Sequence, residues 1–136
     1  MHTELDELLS KAFETEGKQE EVNPFYAAFL RTPLYLPVEK EWQATEERPF
    51  KPLMTEVNSN IFLLVFDTLA RFQLWVGEYE QQIKYVEIFG RELVDALGNQ
   101  VYLGLNYGTN FYKEFSPQEI ARLKVVVAKT KPPVKQ

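Results

Sequence analysis

Asn106-Tyr107-Gly108-Thr109-Asn110 comes closest to ligand chemistry in this chain, because it follows the alternating apolar run Val101 to Leu105. A Gly- and Asn-containing turn at a strand end can aim backbone N–H groups at an anion. The glycine spacing of a phosphate loop is missing, however, and no Lys-Ser or Lys-Thr follows Gly108. A plain turn is the simpler reading. Glu87, between Val86 and Ile88, would be a raised-pKa base if buried. Strand alternation instead places it opposite that apolar pair, on an exposed face. His2 is the only histidine and there is no cysteine, so thiolate and imidazole chemistry are out of reach and zinc lacks its usual ligands. No paired acidic motif stands out either, and no catalytic residue, metal or cofactor is expected.

The same region carries Tyr102, Tyr107, Phe111, Tyr112 and Phe115, more rings than one edge of a small core easily covers. Tyrosine combines a large apolar body with a polar tip and favours interfaces. The segment Asn106 to Phe115 is therefore expected to bind a partner, with Asn106, Tyr107 and Tyr112 at its centre and Trp42 as a neighbour. Trp42 also reads as a lid over the core. The occupant would be an unidentified protein or a second copy of the chain. The alternative is a small-molecule sensor or enzyme with a pocket at the ends of parallel strands.

The totals bound these readings. A chain of 136 residues with 45% hydrophobic content, 10 Phe, 7 Tyr and 2 Trp can build one domain with a real core. Residues 1–128 are expected to form it, and 129–136, with Pro132 and Pro133, to be a flexible basic tail. Net charge is −5; Met1 to Arg48 holds 11 acids and 5 bases, whereas Lys124 to Gln136 holds 4 lysines and no acid. Nucleic acid and anionic membrane both need a concentrated basic face, so neither is expected as a partner of the body. No basic leader with an apolar run opens the chain, and no apolar run nears the roughly 18 residues of a membrane span. The expected compartment is the cytoplasm.

The elements that must position these residues are legible from periodicity. Thr3 to Glu16 reads as a helix capped by Thr3, with Leu5, Leu8, Leu9, Ala12 and Phe13 on one face. A second helix is expected from Asn23-Pro24 to Thr32-Pro33, and Leu34-Tyr35-Leu36, between prolines, as a short edge strand. Val38 to Pro52 is irregular and charged. Leu53 to Val57 should pair back across Asn58-Ser59-Asn60 onto Ile61 to Phe66, six apolar residues that mark a central strand covered on both faces. Asp67 is expected to cap a helix carrying Leu69, Phe72, Gln73 and Val76 inward and ending at Gly77.

A strand at Tyr85 to Phe89, a helix at Arg91 to Leu97 and a strand at Val101 to Leu105 follow, and the alternation suggests parallel crossovers. Ser116-Pro117-Gln118-Glu119 combines a cap, a first-position proline and a capping-box Glu ahead of a last helix with Ile120, Leu123 and Val127 facing inward. The fold class is thus mixed α+β: a single small domain whose mixed parallel and antiparallel sheet is flanked by helices.

From Asn23 to Lys124 the order of segments resembles the SseB N-terminal domain family of bacteria. The carrying residues are Phe29-Leu30, Thr32-Pro33-Leu34-Tyr35-Leu36-Pro37, Val65-Phe66-Asp67-Thr68 and Leu103-Gly104-Leu105-Asn106, in that order. Members typically have a proline after the late asparagine, where Tyr107-Gly108 stands, and a hydroxyl residue before the central helix, which Asp67-Thr68 replaces. Both changes keep turn or cap chemistry. The resemblance implies a small α/β domain with no established catalytic residues.

Overall fold

The computed structural model describes residues 3–14, 19–39, 53–79, 81–98 and 100–129, with the backbone alone at 19–22. Trp42 and the chain from 130 onward lie outside the described residues, while Lys129 is the last residue of a helix.

Helix α1 (Glu4–Glu14) begins at its expected cap. Thr3 Oγ1 accepts the Asp6 N–H at 3.1 Å, and the Asp6 carboxylate accepts the Thr3 N–H at 2.8 Å. Leu5, Leu9 and Ala12 are buried, but Phe13 is 60% exposed. At 3.6 residues per turn Phe13 sits roughly 80° from Leu5, at the margin of the apolar stripe. Helix α2 (Gln19–Arg31) starts four residues before Asn23, so Asn23-Pro24 is not its start. Pro24, the sixth residue of the helix, lies past its first turn, so its missing N–H removes a bond that the Glu20 carbonyl would otherwise accept. Its C-terminal half buries Phe25, Ala28, Phe29 and Leu30.

Strand β1 (Pro33–Glu39) runs through both prolines and pairs antiparallel with β4 (Ile83–Phe89) over seven residues, longer than the short strand expected. The reason is the direction of the backbone. Tyr35 and Phe66 exchange N–H···O bonds at 2.8 and 3.1 Å, and Pro37 O accepts from Leu53 N, so alternate residues of β1 turn their polar groups away from β4. Pro33 and Pro37 are on that side, where a missing N–H leaves the β1–β4 ladder intact.

The second sheet has the order β2-β3-β5-β6. β2 (Met54–Val57) and β3 (Asn60–Val65) form the expected hairpin, with Asn58 and Ser59 both at positive φ, 52° and 70°. That is a two-residue turn of the kind whose twist matches the strands. β5 (Val101–Leu105) runs parallel to β3, and β6 (Lys113–Phe115) pairs antiparallel with β5. β3–β5 is the only parallel pair among the described residues. The suggested succession of parallel crossovers is corrected, because β4 leaves this sheet to pair with β1, and the Tyr35–Phe66 bridge joins the two sheets.

β3 is central, as its composition requires. Leu63 and Val65 enter the main core with Phe29, Leu34, Leu103 and Phe115, while Leu64 and Phe66 face α3 (Leu69–Val76), beside Phe72, Trp75 and Val76. Gly77, at φ 50°, ends α3. Gln73 is exposed, contrary to the inward reading. Helix α4 (Gly90–Ala96) starts hard against α2: a Cβ on Gly90 would lie 2.0 Å from the Phe29 carbonyl oxygen. Helix α5 (Pro117–Lys129) opens with the expected capping box, Ser116 N–H to Glu119 at 3.1 Å and Glu119 N–H to Ser116 Oγ at 3.2 Å. Ile120 and Leu123 are buried and Val127 packs on the core.

Candidate functional site

The turn after β5 is built on Asn106. Its φ of 60° lies in the left-handed region, which asparagine tolerates better than most residues, and it reverses the chain toward β6. Asn106 N–H donates to Val65 O at 2.8 Å, and Asn106 Oδ1 accepts the Asp67 N–H at 3.0 Å. Asn106 is buried and its Nδ2 has no partner among the described residues. It is a structural pivot tying the end of β5 to the end of β3. Within the turn, Thr109 N–H and Oγ1 both donate to Asn106 O, and Phe111 N–H donates to Thr109 Oγ1. Those donors are occupied and do not face an anion.

The rings of this segment part company. Phe115 is fully buried against Phe29, and Phe111 packs on the core with the Arg71 guanidinium 5.6 Å from its ring centre. Tyr102 stacks on Phe62 across the parallel pair at 5.0 Å. Tyr107 and Tyr112 meet edge to face at 5.6 Å, with Tyr107 52% exposed. Tyr112 lies against Gly104, where a Cβ would come 3.2 Å from its ring, and its hydroxyl donates to Glu114 at 3.0 Å. Burial, then the Glu114 carboxylate, pushes that hydroxyl up to about 12. The structure thus brings Asn106, Tyr107 and Tyr112 together; Trp42 lies outside the described residues. Glu87 is exposed, as its strand position requires.

Asp67 does not cap α3. Thr68 does, its side chain accepting the Arg71 N–H at 3.1 Å. The Asp67 carboxylate turns instead to Thr3 Oγ1, 2.6 Å, and to Arg71 Nη1, 2.8 Å. Arg71 also clamps Asp6, so a guanidinium only 12% exposed is held between two carboxylates that are 1% and 2% exposed. Burial by itself would raise the Asp6 carboxyl, but the Arg71 hydrogen bonds, the Thr3 N–H and the Arg71 charge outweigh it and hold it below its ordinary 3.8. This network lies at the carboxyl end of β3, which Asn106 ties to the end of β5. The Asp67–Arg71 spacing of four on a helix was a readable signal for one half of it; Asp6, 61 residues away from Asp67, gave none.

A cavity of about 720 Å³ opens elsewhere, between α1, α2, β6 and α5. At one end Tyr26 donates to Glu119 Oε2 at 2.6 Å and Lys113 Nζ to the same oxygen at 2.8 Å. Burial and then Glu119 raise the Tyr26 hydroxyl; Glu119, despite its own burial, is held low by Lys113, Tyr26 and the Ser116 N–H. Among the described residues no group of three or more Asp, Glu or His side chains could hold a metal ion. No described helix is long and apolar enough to cross a membrane.

No curated protein and no solved structure matches the chain. The family model described as the SseB protein N-terminal domain matches residues 5–122, in agreement with the mixed α+β architecture and the order of its elements, and the chain belongs to that family.

Proposed function

We propose that this domain is a non-enzymatic protein-interaction module of the cytoplasm, whose binding surface centres on Tyr107 and Tyr112. The observation that carries the reading is the edge-to-face Tyr107–Tyr112 pair, half open to solvent on a turn that Asn106 and Thr109 brace from within. Two rigid rings with polar tips supply contact area at little side-chain entropy. The net charge of −5 argues against nucleic acid as the occupant. A protein partner or a second copy of the chain fits the surface.

Tyr107→Ala and Tyr112→Ala, made separately, test it. Immobilised wild-type chain should retain a partner that both variants lose, while Tyr107→Ala melts within a few degrees of wild type because its ring is largely solvated. Sedimentation at increasing concentration separates self-association from a different partner. Equal capture by wild type and both variants would sink the reading.

A further inference from the structure

We propose that the cavity between α1, α2 and α5 is a binding site for a small amphipathic anion, an unbranched apolar chain ending in a carboxylate. The walls are apolar: Leu9 and Phe13 from α1, Leu30 from α2, Leu123 and Val126 from α5. Phe13 and Val126 are 60% and 42% exposed at this opening, although Phe13 belongs by helical period to the apolar side of α1. An apolar chain lying in the cavity would cover both. The volume, about 720 Å³, is in the range of sites that bury small molecules.

Charge chooses the head group. Among the described residues three charged side chains line the cavity, Lys113, Glu119 and Arg122. Lys113 and Glu119 form an ion pair at 2.8 Å and cancel, and Tyr26 is committed to Glu119 as well. Arg122 is exposed and, among the described residues, enters no ion pair, which leaves the described part of the lining with one net positive charge in a chain of net −5. Its planar fork suits a carboxylate better than a point cation would. The apolar chain would run toward Phe13 and Val126, with the head against Arg122. This site is distinct from the tyrosine surface, so neither proposal depends on the other.

The test is titration of the full chain with dodecanoate and, separately, with dodecyltrimethylammonium, both below micelle formation, followed by calorimetry and amide NMR. Dodecanoate should bind saturably at one site, with shifts concentrated in α1, α2 and α5, and at least tenfold tighter than the cation. Arg122→Glu should weaken dodecanoate at least tenfold and shrink the preference over the cation. Ala27→Trp, at an exposed lining position, should weaken both ligands by filling the space. If Arg122→Glu fails to fold, Arg122→Gln and a fall of dodecanoate affinity with added salt serve in its place. Absence of saturable binding, equal affinity for the two head groups, or binding unchanged in both variants overturns the proposal.

Discussion

Arg71 on α3 reaches Asp6 on α1 with both guanidinium nitrogens, Nη1 to Oδ1 at 2.8 Å and Nη2 to Oδ2 at 2.5 Å, and so pins the first helix to the ends of the parallel strands. The bidentate geometry and near-complete burial make this a stronger tie than the exposed Arg31–Glu4 pair, whose side chains are 59% and 60% exposed.

Breaking one side of this pair should therefore be severe. Arg71→Met leaves the buried Asp6 and Asp67 carboxylates without their shared cation, and an equilibrium denaturation should show a loss of about 3 kcal/mol or more; Asp6→Asn keeps the Arg71–Asp67 pair and should cost less. Glu4→Gln should change stability by less than about 0.5 kcal/mol.

The same contact gives an acid dependence of known sign. The folded-state pKa of Asp6 lies below its ordinary 3.8, so its contribution is complete above the unfolded value and is lost as pH falls through the folded one. Melting temperatures of wild type should drop steeply below about pH 4. Asp6→Asn should start lower at pH 7 and fall less steeply across that window; parallel profiles would remove Asp6 from the acid transition.

Asn106 carries two separable burdens, a left-handed backbone and the bond to Asp67 N–H. Asn106→Ala loses both and should cost about 2 kcal/mol or more. Asn106→Gly keeps the backbone freedom and should be milder by about 1 kcal/mol. Chemical denaturation of the two variants side by side checks the ordering.

Gly90→Ala should be among the worst single substitutions in the chain. The added Cβ meets backbone, Phe29 O at 2.0 Å and Phe29 C at 2.8 Å, which no rotamer change relieves. Gly104→Ala meets only side-chain ends, Leu64 Cδ2 at 2.8 Å and the Tyr112 ring at 3.2 Å. A loss of about 1–3 kcal/mol fits that milder overpacking, and Gly90→Ala should exceed it clearly in thermal melts.

Ser59 occupies the left-handed region at φ 70°, which a side chain pays for and glycine does not. Ser59→Gly should stabilise the β2–β3 hairpin by about 0.5–1 kcal/mol, read as a raised denaturation midpoint at unchanged slope. A lower midpoint would show that the Ser59 side chain contributes more than its backbone costs.

Local chemistry was legible in the sequence wherever neighbours in the chain are also the physical partners. The Ser116–Glu119 capping box, the Thr3 cap, the Asn58-Ser59 hairpin and the largely buried run from Phe62 to Phe66, although not Ile61, which is 38% exposed, all depend on bonds or faces within a few residues. So did the gathering of Asn106, Tyr107 and Tyr112 in one turn. What the tertiary structure alone decided is where each competing option went. Asp67 had a cap position within reach, yet Thr68 took it, because Thr3 and Arg71 offer the carboxylate charge-assisted partners in a buried place. β4 follows β3 through a helix but pairs with β1, since a seven-residue antiparallel ladder was available and no order of apolar residues records it. Phe13 was left at the mouth of a cavity because the space beside α1 is set by where α5 crosses, a distance of more than a hundred residues along the chain.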